Sequence, residues 1–313
     1  MIENDPDNRG HRMARWHAGL STALICIALL PWPADAQMAS RDLMAQASAD
    51  PPGRYRRPRG DTPLPDGKVA RGTRNIAAAW FSDPTTRYRH FALGTEHEPE
   101  TLVVSTSDRR VYRLKLPNDS VFEDREPRIA DIDGDGQDEI IVVRSYLKQG
   151  AALAIIAVRG DGLEIIAETP PIGEHFRWLN PAGVADFDGD GKPDVALVRM
   201  PHTHGELELW TLRDGRLVRT YRESDVSNHA VRGLHFKLSA VADFDGDGVA
   251  DLAIPSFDRR SLRILGFRNG RVREIDRIAL PAVAAEDFEL VQRHGRSAIR
   301  VGLNGGRSVV VTP

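Results

Sequence analysis

The chain has 313 residues, 42 Lys and Arg against 45 Asp and Glu, and a formal net charge of −3. This length suits one large domain or two ordinary ones, and the balanced charge, with no basic stripe, argues against a nucleic-acid binder. A single cysteine, Cys26, excludes a disulfide framework.

Residues 1–36 read as an export signal. Arg12 and Arg15 precede an apolar run from Ala18 to Trp32, and Ala34-Asp35-Ala36 offers a small-x-small cleavage site. The run is shorter than the roughly 20 residues needed to span a bilayer, so no stable span is expected after cleavage; an uncleaved anchor is the alternative. Met13 opens a better charged start than the acidic stretch from Met1 to Asn8, so either methionine is a candidate start. Because Cys26 lies inside the apolar run, the exported chain would lack thiols and need another clamp, for which bound metal is the candidate. Residues 37–74, rich in Pro, Arg, Gly, Asp and Ala without apolar periodicity, are expected to form a disordered linker.

A repeated pattern fills residues 75–313. Asn75 to Trp80 reads as one strand, Thr101 to Val104 and Val111 to Leu116 as two more. Then come three acidic loops: Asp131-Ile-Asp133-Gly-Asp135-Gly136-Gln137-Asp138-Glu139, Asp186-Phe-Asp188-Gly-Asp190-Gly191-Lys192-Pro193-Asp194 and Asp243-Phe-Asp245-Gly-Asp247-Gly248-Val249-Ala250-Asp251. Acids at positions 1, 3, 5 and 9, a glycine at 6 and a backbone carbonyl at 7 make the spacing of a calcium loop. A helical calcium hand needs an acid at position 12, but Val142, Leu197 and Ile254 stand there, inside short β-branched runs that read as strands. These are therefore calcium loops between strands. Solvated Asp-Gly turns without metal are the alternative.

The loops start at 131, 186 and 243, a period of 55 and then 57 residues. One period parses into strands at 128–130, 139–144, 151–158 and 163–168, with an Asp161-Gly162 turn before the last; Asp214-Gly215 and Asn269-Gly270 recur in step. Four antiparallel strands per unit is the pattern of a propeller blade. A first unit before residue 128 and a last one from Glu286-Asp287-Phe288-Glu289 are degenerate, the latter resembling the start of a calcium loop without an acid at position 5. The last unit is one strand short, and Asn75 to Trp80 is expected to supply it. The fold class is all-β: a propeller of about five four-stranded blades, its ring closed by an N-terminal strand.

These loops and their strands resemble the FG-GAP/VCBS repeat family, the integrin-α N-terminal type of β-propeller. The resemblance implies about three Ca2+ ions, held by Asp131, Asp133, Asp135, the Gln137 carbonyl and Glu139, and by the matching positions Asp186, Asp188, Asp190, Lys192, Asp194 and Asp243, Asp245, Asp247, Val249, Asp251. Three such ions add six charges to the formal −3 and bring it to +3.

In a propeller the metal loops lie on one face and the long connectors on the other. Ligand contacts are therefore expected from the connectors, at His175, Arg177, Trp178, His229 and Arg232, and from His202 in the Pro201-His202-Thr203-His204 loop. A Trp at such a corner more often packs between blades, and two histidines at i, i+2 lack a visible third metal ligand. There is no serine nucleophile motif, Cys–His pair or phosphate-cradling loop, so no catalytic residue is assigned. The expectation is an exported, periplasmic or secreted scaffold that binds a protein or glycan of the cell envelope or exterior. The alternative is a carbohydrate- or phosphoester-active enzyme using the connector face.

Overall fold

Strand content follows from short apolar β-branched runs separated by Asp-Gly and Asn-Gly turns, and it is what the computed structural model contains. The structure describes residues 61–313, which form twenty strands without an α-helix. The expected signal segment, and the linker as far as residue 60, lie outside the described residues.

The first sheet runs β1 (Ala70–Arg71), β2 (Ile76–Thr85), β3 (Glu98–Thr106), β4 (Val111–Lys115). In the second, β5 (Ser120–Phe122) and β6 (Arg128–Ala130) both pair with β7 (Glu139–Tyr146), followed by β8 (Gly150–Arg159) and β9 (Gly162–Glu168). The third is β10 (Leu179–Ala185), β11 (Asp194–Arg199), β12 (Glu206–Arg213), β13 (Arg216–Glu223), and the fourth β14 (Ala240–Ala242), β15 (Asp251–Pro255), β16 (Ser261–Arg268), β17 (Arg271–Ala279). The fifth has three strands, β18 (Ala284–Arg293), β19 (Arg296–Leu303) and β20 (Arg307–Val311). The pairings are antiparallel in every sheet.

Side-chain alternation explains how the sheets stack. Successive residues of a strand point to opposite faces. In β7, Ile140 and Val142 pack with Leu102 and Val104 of the first sheet, whereas Ile141 and Val143 pack with Val195 and Leu197 of the third. In β11 the other set, Ala196 and Val198, meets Leu252 and Ile254 of the fourth, and Ala253 of β15 joins Ile299 and Val301 of the fifth. Four cores thus lie between five consecutive sheets. The middle strands are buried on both faces and carry unbroken apolar runs, whereas the outer strands β13 and β17 alternate between covered and exposed residues. This is the face-to-face packing of propeller blades.

The parsing of the second unit is reproduced within two residues at each strand end. Three expectations need correction. Asn75 to Trp80 does not complete the last unit: β2 pairs with β1 and β3, and among the described residues β20 pairs with β19 alone. The reason is local. One face of β2, with Ile76, Ala79 and Phe81, joins the core toward the second sheet, while Ala78 and Trp80 are buried with Val103 and Val69. The linker boundary at residue 74 is too late. Leu64 is buried, Asp61 accepts the Trp80 indole N–H at 2.6 Å, and β1 pairs with β2, so residues 61–74 are built into the first sheet. Finally, Glu286 to Glu289 is not a loop. It lies within β18, whose register shifts there, so the acids sit on an irregular strand.

Candidate metal centres and the connector face

The acidic loops join β6 to β7, β10 to β11 and β14 to β15. In each, the first acid folds the chain around itself. Asp131 accepts the N–H groups of Gly134 at 2.8 Å and Gly136 at 3.0 Å; Asp186 accepts those of Gly189 at 2.8 Å and Gly191 at 2.9 Å; Asp243 accepts those of Gly246 at 2.7 Å and Gly248 at 3.0 Å. Gly136, Gly191 and Gly248 have φ of +86°, +85° and +87°, the left-handed bend that the sixth position requires.

The ninth acid opens the following strand and is buried: Glu139, Asp194 and Asp251 are 1%, 1% and 3% exposed. Each accepts the N–H of the second loop residue: Ile132 at 3.0 Å, Phe187 at 3.3 Å and Phe244 at 2.9 Å. The second residue anchors the loop, Ile132 and Phe187 being fully buried. Burial pushes all three acids up to about 7, and the neighbouring loop aspartates push the same way.

Three carboxylates converge in each loop. The groups are Asp131, Asp133 and Glu139; Asp186, Asp188 and Asp194; and Asp243, Asp245 and Asp251, each with ligand atoms within 4.8 Å of one another. Among the described residues, Glu139 and Asp251 each accept backbone N–H groups through one carboxylate oxygen. The fifth acids, Asp135, Asp190 and Asp247, stand outside these groups and face Arg159, Arg213 and Arg268 at 4.0, 3.2 and 3.1 Å. At the seventh position the carbonyls of Gln137, Lys192 and Val249 are the relevant donors; the Gln137 and Lys192 side chains are exposed. An all-oxygen set rich in carboxylates suits a hard cation such as Ca2+.

At the other strand ends, the loops 145–150, 200–205 and 256–260 meet the connectors. Ala151 donates its N–H to the Arg177 carbonyl at 2.9 Å, Val226 to that of Gly205 at 3.2 Å, and Phe257 to Asp225 at 3.3 Å. This face gathers Trp178, His202 and His229, as the sequence reading expects, but mostly in the interior. The Trp178 indole N–H donates to the Glu123 carbonyl at 2.9 Å, and its ring stacks on His202. The His229 Nε2–H donates to the Gly233 carbonyl at 3.1 Å, so its Nδ1 accepts from the Nε2–H of His202 at 2.8 Å, a tautomer pair assigned from the network. Burial lowers His202 to about 4 and His229 to about 3, which keeps both imidazoles neutral. Trp178 and His229 therefore cannot be surface ligand contacts: both are buried, and the indole N–H and both His229 ring nitrogens are occupied within the protein.

His175 and Arg232 are exposed, and Arg177 pairs with Glu174 at 3.2 Å. With Phe176, Val231, Leu234 and Phe257, four of the exposed large apolar side chains, they form the rim of this face. His204 Nδ1 lies 3.0 Å from the Thr203 hydroxyl, and no histidine joins a three-ligand group among the described residues. Sequence reasoning missed His90. Its Nδ1 lies 2.6 Å from Oε1 of fully buried Glu123, whose other oxygen accepts from Ser145, and its ring stacks on Phe176. No local motif signals this pair, because its members are 33 residues apart and join different sheets.

Residues 131–197 and 186–254 match the family model of the FG-GAP-like repeat. Each match runs from one acidic loop through the strand after the next. Cartilage acidic protein 1 of Xenopus tropicalis is 25% identical over 198 residues, covering 59% of this chain and 29% of that protein. The chain thus spans less than a third of that relative's length. Among solved structures, the exotype rhamnogalacturonan lyase YesX is similar at a TM-score of 0.43 and 15% identity, over 80% of this chain and 59% of that one. The rhamnogalacturonan lyase YesW is similar at 0.38 and 15% identity, over 76% and 50%.

Proposed function

We propose that this chain, a member of the FG-GAP-like repeat proteins, is an exported scaffold stabilised by three Ca2+ ions, one per acidic loop. Its connector face binds a protein or glycan ligand. One observation carries the reading: three loops each bring three carboxylates together, and the ninth acid of each loop is buried. Carboxylates packed this closely repel one another, and a bound cation offsets that repulsion more fully than the exposed arginines beside them. Asp131, Asp133, Glu139 and their counterparts would hold the ion with the carbonyls at position seven, and the ion would supply the missing positive charge.

The ligand surface in this reading is the rim of His175, Arg177 and Arg232 with Phe176, Val231 and Leu234. Cations beside exposed apolar groups suit a ligand with both anionic or hydroxyl groups and flat carbon faces. Calorimetric titration of the full chain with Ca2+ should give three ions per chain; a stoichiometry of zero removes the metal reading. A glycan and protein array probed with Ca2+-loaded chain should give defined hits that Arg177→Ala and Arg232→Ala together abolish.

A second reading has its own observation. Glu123 orients His90 through Nδ1, and Nε2 makes no hydrogen bond among the described residues, the disposition of a general base. In that reading the chain is a carbohydrate- or phosphoester-active enzyme, and purified protein turns over an envelope polysaccharide in a manner lost in His90→Gln. Array binding without product supports the scaffold instead.

A further inference from the structure

We infer that arginines at the tips of the outer hairpins act as built-in competitors for the calcium ligands and grade the affinity from loop to loop. The inference rests on the calcium reading above. The hairpins β8–β9, β12–β13 and β16–β17 turn at Gly160-Asp161, Asp214-Gly215 and Asn269-Gly270, on the same strand ends as the acidic loops. An arginine immediately precedes each turn. Arg159 reaches Asp133 at 3.8 Å and Asp135 at 4.0 Å, Arg213 reaches Asp190 at 3.2 Å, and Arg268 reaches Asp247 at 3.1 Å. The contact therefore recurs in three blades, with the arginine at the same place in each hairpin.

The loops differ in what is added. In the third, Arg273 of β17 also pairs with Asp245, a member of the converging group. Arg268 and Arg273 line, with Asp247, Val249 and Asp251, a recess of about 10 Å³ beside that loop. In the first, Arg74 lies 3.2 Å from Asp131 and shares itself with Asp138 at the same distance. In the second, Arg213 alone approaches among the described residues, and it touches Asp190, which stands outside the converging group.

A guanidinium stays charged at any working pH, so it repels an incoming cation and occupies carboxylate oxygens that the cation needs. The hairpin arginines and Arg273 are 41% to 60% exposed, so each is free to swing into solvent when an ion enters. Exposed ion pairs are weak, and these arginines lower metal affinity without blocking it. In the metal-free protein the same contacts offset repulsion within the loop. The second loop should hold Ca2+ most tightly and the third least.

Calcium titration of the full chain, with chelator competition to resolve the classes, tests this. Arg268→Ala with Arg273→Ala should tighten the weakest class by about 3- to 10-fold, leave the stoichiometry at three, and lower the melting temperature of the metal-free protein. Arg213→Ala, a single exposed change, should tighten the second site by less. Arginines that are only structural would lower the melting temperature with unchanged or weaker Ca2+ binding, and that result overturns the inference. If the wild-type chain binds no Ca2+, the inference falls together with the calcium reading. Wild-type binding that is unaffected by the substitutions overturns the competition alone.

Discussion

His202 and His229 show how individual residues set the molecule's response to acid. Both are held below the ordinary histidine range by burial, at about 4 and about 3. A depressed value means that the neutral form is favoured by folding, so the stability is present above about 6.5 and is lost as pH falls toward 4. Each histidine contributes on the order of 3 kcal/mol to that loss. The buried loop acids of the metal-free chain titrate in the opposite sense, so the variant is to be compared with the wild type at matched Ca2+. Between pH 7.5 and 4 the urea midpoint of His202→Gln should lose less than that of the wild type below 6.5, and an equal slope in the variant removes His202 from the account. Arg125 presents the opposite case. It is 2% exposed and donates to Glu98 at 2.6 Å and Asp66 at 2.7 Å. Arg125→Met leaves Glu98, itself 1% exposed, without its partner and should cost about 3–5 kcal/mol, most of it recovered by adding Glu98→Gln. The loop aspartates were legible in the sequence because the acids that converge in each loop lie within nine consecutive residues. Arg125 with Glu98, and His90 with Glu123, were not, because each pair is assembled by packing between distant segments.

At the scale of elements, the central units were legible because the middle strands carry unbroken apolar runs and the outer hairpins turn at a Gly beside Asp or Asn. The terminal units were not, since they lack the acidic loop that marks the start of a blade. Two glycines outside the metal loops show what the repeat demands of the backbone. Gly150 and Gly205 each lead into the third strand of a unit, with φ of +74° and +66°. A Cβ at Gly150 would lie 2.3 Å from the Glu174 carbonyl oxygen, and one at Gly205 2.2 Å from that of Val226. Both atoms belong to the connector that crosses the loop, so the glycines let loop and connector touch. Gly160, with φ of +55°, meets nothing within 4 Å. Gly150→Ala and Gly205→Ala should therefore each cost at least about 2–3 kcal/mol, combining backbone strain with a clash, whereas Gly160→Ala should cost about 1 kcal/mol. Comparable denaturant midpoints for all three would contradict the close approach.

For the whole molecule, the ninth acid of each loop matters because of the strand it begins. β7, β11 and β15 each feed alternate side chains into two inter-sheet cores, so a charge left uncompensated at Glu139, Asp194 or Asp251 loosens the start of a strand that two cores share. Loops two and three are also neighbours: a Cβ at Gly189 would lie 3.2 Å from a Val249 methyl. Extracellular calcium modules bind at ~10⁻⁴ to 10⁻³ M, and with ~1 mM Ca2+ and a dissociation constant of ~0.1 mM each site contributes about 1.4 kcal/mol, or roughly 4 kcal/mol for three independent sites. In a domain of this size each kcal/mol moves the melting temperature by about 2–4 °C, so EDTA should lower it by roughly 10 °C. Asp188→Ala should remove one of the three ions and about a third of that shift, because the other loops fold around their own first aspartates. Loss of all three ions in this variant would mean that the sites are coupled through the sheets between them, and an unchanged melt in EDTA would mean that the cores alone hold the blades together.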